Sequence, residues 1–211
     1  MKYKAIGFDW NGVIFGLPGS VFSQGAADVL DVKVVTFRRA YFENNHLINK
    51  EGASKEVFWA AVLEDLKKSD RLSVLLDYVN NIPKGIINED VVEVIAKLKK
   101  AGLKLGLVSN ETLEGGEKIK QTEVAKYFDQ ILISAEVGFM KPEKQMFELL
   151  FSKLEVMPEE LIFVDDAEKS LVNAKEIGFT PILFVNAKDL TTKLSELGIS
   201  EILRLAIARS G

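Results

Sequence analysis

YKAIGFDWNGV, residues 3–13, is the stretch from which the rest of the chain is read. Its first six residues are short and apolar, and Asp9, Asn11 and Gly12 interrupt them at once. That is the pattern of a buried strand running into a polar loop. From about residue 88 such strands alternate with helices. Asn88 is placed to cap a helix, with Glu89 and Asp90 in its first turn. Val91, Ile95 and Leu98 share one face of that helix, and Lys99, Lys100 and Gly102 close it. KLGLVSN (104–110), DQILIS (129–134), LIFVDD (161–166) and PILFV (181–185) read as four further strands. Pro142 is expected to open a helix in which Phe147, Leu150, Phe151 and Leu154 recur at helical spacing. Leu171, Ala174 and Ile177 mark another helix, stopped by Gly178, and amphipathic helices finish the chain from about 189. Strict alternation predicts an α/β fold, a Rossmann-like parallel sheet flanked by helices.

Residues 15–87 break that rhythm. VVTFRRAYFENN (34–45), SKEVFWAAVLEDLKK (54–68) and RLSVLLDYV (71–79) are helical in pattern, and no strand is evident. The expected organisation is a core of residues 1–14 and 88–211 interrupted by an α-helical cap over 15–87.

Composition narrows the function classes. The 211 residues are 47% hydrophobic, enough for a substantial core. The net charge of −4 is spread over interleaved acids and bases, which argues against nucleic acid as the main partner. There are no cysteines, so disulfides, thiolate metal sites and cysteine nucleophiles are excluded. The first residues, MKYKAIGFDW, are too polar for a secretory leader. No apolar run approaches the ~20 residues of a membrane span. The expectation is a cytoplasmic protein with no membrane partner.

In open α/β sheets ligands gather at the carboxyl ends of the strands. The polar residues expected there are Asp9 and Asn11, Ser109 and Asn110, Lys141 just before a helix, and the pair Asp165–Asp166. Each has a plainer reading as a turn former, a helix cap or a solvated side chain. Four such groups along one sheet edge are more than turn chemistry demands.

Together they resemble the haloacid dehalogenase superfamily. Its phosphatases carry, in order, a strand ending in D-x-D-G-[TV], a strand ending in serine or threonine, a lysine and an acidic pair. Here these are D-W-N-G-V (Asp9–Val13), Ser109 in LGLVSN, Lys141 in GFMKPEKQMF, and Asp165–Asp166 in IFVDDAEKSLVNAKEIG. VSN, G-x-x-KP and FVDDA, with the helical insertion, resemble the subgroup with a four-helix-type cap, which includes sugar-phosphate phosphatases such as glucose-1-phosphate phosphatase. The resemblance implies a phosphatase for a small phosphorylated metabolite in which Asp9 is the nucleophile, forming an aspartyl-phosphate. It implies that Ser109, Asn110, Lys141 and Gly12 surround the phosphate. It also implies a Mg²⁺ ion held by Asp9, the backbone carbonyl of Asn11 and Asp166, with Asp165 acting through water.

Asn11 departs from the family pattern, whose second aspartate protonates the leaving group and then deprotonates water. An amide can orient but not shuttle a proton. General acid–base help contributes ~10²–10⁴ in rate, so the loss slows such an enzyme without silencing it. Several readings remain open at this point. One is a phosphatase or phosphotransferase whose leaving group needs little protonation; another is a phosphate binder with impaired turnover. A third is a 2-haloacid dehalogenase in which Arg38 or Arg39 holds a carboxylate; the acidic pair opposes it, because those enzymes work without metal. A fourth, phosphonoacetaldehyde hydrolysis, needs a cap lysine, for which Lys50 and Lys55 are available. Within the cap, Arg38, Arg39, Tyr41, Asn44, Asn45, His46 and Trp59 are the positions from which substrate selection is expected. His46 reads as a surface or packing residue and Trp59 as cap core. Trp10 reads as packed near the hinge or lining the entrance.

Overall fold

The computed structural model describes residues 2–16, 19–82 and 85–199. Five strands form one parallel sheet in the order β3-β2-β1-β4-β5. They are β1 (Ala5–Phe8), β2 (Lys104–Ser109), β3 (Gln130–Ile133), β4 (Leu161–Asp165) and β5 (Thr180–Leu183). β1 is central, pairing Ala5 with Lys104 on one side and with Leu161 on the other.

Helices cover both faces of the sheet because the strands are apolar on both. Ile6 and Phe8 point to a layer formed by α5 (Glu89–Lys100) and α11 (Ala187–Glu196), through Val91, Ile95, Leu98, Leu190 and Leu194. Ala5, Val108 and Phe163 point the other way, onto α8 (Lys144–Leu154), where Phe147 and Leu150 are fully buried. Phe147 meets Phe163 edge-on at 5.2 Å and stacks on Phe179 at 4.5 Å. α5 is capped as its sequence predicts, the Asn88 side chain accepting from Val91 N–H.

Between β1 and α5 the described residues form four α-helices, α1 (Gly19–Leu30), α2 (Val34–Asn49), α3 (Lys55–Asp65) and α4 (Leu72–Asn81). They enclose an apolar cluster of their own, in which Phe37, Val62, Leu63 and Leu75 are fully buried and Trp59 nearly so. The two chain segments joining this bundle to the sheet run antiparallel. Phe15 bridges Ile87, Gly16 N–H donates to Ile86 O at 3.0 Å, and Asn88 N–H donates to Ile14 O at 2.8 Å. Trp10 is buried beside them, stacked on Phe15 at 5.7 Å, so of its two sequence readings the hinge is the one observed.

Three local expectations are corrected. Pro142 does not open a helix: α8 starts at Lys144. Residues 140–143 are instead drawn into a turn, with Glu143 N–H on Met140 O at 2.7 Å, while Lys141 is pinned elsewhere. The helix through Leu171 and Ile177 is two short ones, α9 (Glu168–Leu171) and α10 (Ala174–Ile177), broken where Asn173 turns its amide onto Pro142 O at 3.1 Å. Ser134 leaves β3 to start the short helix α7 (Ser134–Val137). One helix the sequence pattern did not isolate, α6 (Leu113–Lys120), follows β2. Of the amphipathic helices expected from about 189, α11 is present; anything beyond 199 lies outside the described residues. No helix among the described residues is long and apolar enough to cross a membrane.

Candidate active site

Because β1 sits between β2 and β4, the carboxyl ends of these three strands open side by side. Asp9 continues β1, its N–H donating to Val164 O at 2.9 Å. Ser109 ends β2, Asp165 ends β4, and Asp166 follows. Lys141 reaches the same place from the loop before α8, and the Asn110 side chain holds that loop at both ends of one residue. Lys141 N–H donates to Asn110 Oδ1 at 2.8 Å, and Asn110 Nδ2 donates to Lys141 O at 2.9 Å. The asparagine after the strand thus positions the lysine, and only its backbone amide remains for a ligand.

Lys141 is buried, with Nζ 2.8 Å from Asp9 Oδ1 and 2.6 Å from Asp165 Oδ2. Asp9 Oδ1 also accepts from Trp10 N–H at 2.7 Å, so both contacts fall on one oxygen and Oδ2 is left uncommitted by them. Asp165 is fully engaged, its Oδ1 accepting from Ala167 N–H at 2.8 Å. Asp166 Oδ2 accepts from Gly19 N–H at 2.6 Å, the first residue of α1. Gly12 makes this approach feasible: its φ is +78°, and a Cβ there would run into the Asp166 carboxylate.

The electrostatics are unbalanced. One ammonium faces three carboxylates, whose oxygens lie within 4.8 Å of one another. Burial pushes the Asp9 carboxyl well up, and the charges of Asp165 and Asp166 add to it against the opposing pull of Lys141. Asp166 is raised by burial and by Asp165, with the Gly19 N–H opposing. Burial would lower the Lys141 ammonium, but Asp165 and Asp9 more than reverse that and hold it above its ordinary value. A divalent cation would relieve the carboxylate repulsion, and the donor set is entirely hard oxygen, which suits Mg²⁺. Asp165, tied to Lys141 and Ala167, is the carboxylate least free to ligate directly.

The Ser109 hydroxyl is fully buried and has no hydrogen-bond partner among the described residues. A polar atom buried without a partner costs stability, and here it lies at the end of β2, beside the strand that Asp9 continues.

Above these groups is a cavity of about 350 Å³, lined below by Asp9, Asn11, Gly12, Lys141 and Asp166 and above by Tyr41, Asn45 and Asn49 of α2. Burial first, then the charges of Glu111, Asp9 and Asp166, push the Tyr41 phenol up to about 12. Asn11 is exposed at the rim, and its Nδ2 donates to Glu111 Oε2 at 3.3 Å. Arg38 and Arg39 are not in this cavity. They stand exposed on α2 and line a neighbouring one of about 460 Å³.

The sequence reading missed Glu111, Asn49 and the Gly19 N–H. A signal for Asn49 was present: Tyr41, Asn45 and Asn49 recur every four residues and so share one helix face. Glu111 directly follows the VSN motif, but nothing in its position announced a contact with Asn11. His46 faces Glu51 at 3.7 Å and does not line the main cavity, and Trp59 belongs to the cap core.

An α/β sheet with a helical insertion and an oxygen-lined, lysine-bearing cleft at its strand ends defines a class of capped hydrolases. A family model described as haloacid dehalogenase-like hydrolase matches residues 3–178, and the chain belongs to that family. Bifunctional epoxide hydrolase 2 of Mus musculus is 30% identical over 116 residues, 53% of this chain and 21% of that protein. Phosphoglycolate phosphatase of Salmonella choleraesuis (strain SC-B67) is 33% identical over 89 residues, 42% of this chain and 35% of that protein. The chain thus spans well under half the length of either relative. A HAD-like family hydrolase from Porphyromonas gingivalis superimposes with a TM-score of 0.62 at 18% identity, covering 93% of this chain and 98% of that one. At that identity the likeness concerns the fold.

Proposed function

We propose that the protein hydrolyses a phosphate monoester of a small cytoplasmic metabolite through an aspartyl-phosphate. The observation that carries this reading is the meeting, at one sheet edge, of the Asp9–Lys141–Asp165 ion pairs with a buried, unpartnered Ser109 hydroxyl. Asp9 Oδ2 attacks phosphorus and the bond to the leaving oxygen breaks. The Ser109 hydroxyl, the Asn110 backbone N–H and the Lys141 ammonium hold the phosphoryl oxygens as negative charge shifts onto the departing alkoxide. Water then attacks the same phosphorus, the Asp9–phosphorus bond breaks, and phosphate leaves. Asp9, the Asn11 backbone carbonyl and Asp166 are the groups suited to hold Mg²⁺, which when bound supplies charge neutralisation between the carboxylate and the phosphate dianion. Tyr41 and the α2 asparagines shield the reacting centre from bulk water.

The first step must deliver a proton to the alkoxide and the second must remove one from water. Asn11 does neither, so the alkoxide takes its proton from solvent water and the attacking water loses one to solvent, and turnover is slow toward unactivated alkyl esters. A panel of small phosphate esters, run with and without Mg²⁺ on the protein and on Asn11→Asp, tests the reading. Mg²⁺-dependent phosphate release is expected, abolished in Asp9→Asn, with Asn11→Asp recovering part of the ~10²–10⁴ that acid–base help supplies. An Asn11→Asp variant no faster than the parent would reject the impaired-site account. The 2-haloacid dehalogenase reading loses support from the exposure of Arg38 and Arg39 outside the main cavity; chloroacid turnover in chelator would restore it.

A further inference from the structure

The 460 Å³ cavity beside the active site has a charge pattern that the phosphatase chemistry leaves unused. Arg38 and Arg39 of α2 line it from above and Lys169 of α9 from below. Arg38 has no carboxylate partner among the described residues. The contact of Arg39 with Glu43 is long, 3.9 Å between two exposed groups, and contributes little. Lys169 has a ring rather than a carboxylate as its contact, its Nζ lying 5.8 Å from the Phe42 centroid. The negative groups lining the cavity are Glu168 and Asp166, and Asp166 is already engaged with Gly19. Three under-neutralised cations from two separate elements therefore face one hollow. That hollow adjoins the catalytic cavity, both being lined by Gly19, Phe22, Tyr41, Phe42, Asp166 and Ala167.

We infer that this second cavity binds an oxyanion at the far end of the substrate, so that the substrate class is a phosphate ester whose leaving group carries a carboxylate or a second phosphate. Like charges gathered around a low-dielectric hollow raise the local concentration of anions, and the planar guanidinium fork can pair bidentately with either oxyanion. α2 belongs to the helical insertion and α9 to the core, so an anion held between them would also draw the two together over Asp9. The inference rests on the phosphatase reading for the identity of the group at Asp9, but its own test does not need turnover.

The test uses ω-carboxyalkyl phosphates of two to five carbons, alkanediol bisphosphates of the same lengths, and plain alkyl phosphates as the reference. Binding is measured by calorimetry on Asp9→Asn protein, and kcat/KM on the parent with Mg²⁺. At one chain length the second anion should strengthen binding by roughly tenfold to a hundredfold over the alkyl phosphate. The advantage should shrink as salt rises. Arg38→Gln, Arg39→Gln and Lys169→Gln should each lower that ratio, through KM more than kcat, while Lys97→Gln, a solvated lysine elsewhere, should leave it intact. A preference for the carboxylate or for the bisphosphate series assigns the oxyanion. A ratio near one at every length, or a ratio that survives the triple substitution, overturns the inference. Absence of all phosphate release from the parent would instead count against the phosphatase reading, while the calorimetric ratio still decides this one.

Discussion

Ser109→Ala should make the ligand-free protein more stable and the ligand-bound protein weaker. The Ser109 oxygen is fully buried without a partner, a condition that costs about 1–3 kcal/mol. Alanine keeps the strand, removes the orphaned oxygen and leaves a gap smaller than a methyl group. Taking the lower end of that range, the gain is about 1 kcal/mol, which in a domain of this size raises Tm by roughly 2–4 °C. The same oxygen is the donor proposed for the phosphoryl group. A hydrogen bond to a charged group contributes about 1.5–3 kcal/mol, so its loss should weaken a phosphate mimic by about ten- to a hundredfold. Scanning calorimetry in chelator reads the first quantity, and titration with orthovanadate in the presence of Mg²⁺ reads the second. A fall in Tm of several degrees would show that the hydroxyl is satisfied in the folded protein. Unchanged vanadate affinity would remove Ser109 from the phosphate site. Either result refutes the reasoning, because the two effects must have opposite signs.

Gly12→Ala combines a φ of +78° with a Cβ directed at the Asp166 carboxylate. The backbone strain alone costs about 1–2 kcal/mol, and displacement of Asp166 should lower Mg²⁺ affinity by more than tenfold in a calorimetric titration; unaltered affinity and Tm would show that Asp166 moves freely. Asp129 offers a pH test. Burial pushes its carboxyl up, but the Lys99 ammonium, the Leu105 N–H and Lys104 outweigh that and hold it below its ordinary value. A lowered folded value stabilises above the unfolded one and is lost as pH falls through the folded one. The Tm advantage of the parent over Asp129→Asn should therefore be full near pH 6, begin to fall near the ordinary carboxylate value of about 3.9, and vanish only below the lower folded value; a difference that grows toward acid would contradict the sign.

The strands of the core were legible because each apolar run stops at a polar residue that the sheet places on one edge: Asp9, Ser109, Asp165. The same regularity announced α5 through Asn88 and its acidic first turn. α1 was not legible, since GSVFSQGAADVL has two glycines, no acidic first turn and no basic last turn, and its place is settled by packing against α2 and by the Gly19 N–H on Asp166. Pro142 misled for a related reason. Its preference for a helix start is a local one, and the two hydrogen bonds between Asn110 and Lys141 override it. Within the site, residues that end a strand or belong to a motif were visible in the sequence, whereas those brought in by a tertiary contact were not, whatever their charge. Glu111 touches Asn11 across 100 residues of chain, a relation no short window contains.

The antiparallel pairing of Phe15 with Ile87 has an architectural consequence. Seen from the sheet, everything from Gly16 to Gly85 is a detour that departs and returns at the same doorway. The entropy of closing such an excursion grows only slowly with its length, ~0.6 kcal/mol per doubling. A roof of different size or shape could be grafted onto those two rungs while the floor beneath, with its carboxylates and lysine, kept its geometry. Floor and roof are thereby housed in separately replaceable parts of one continuous chain.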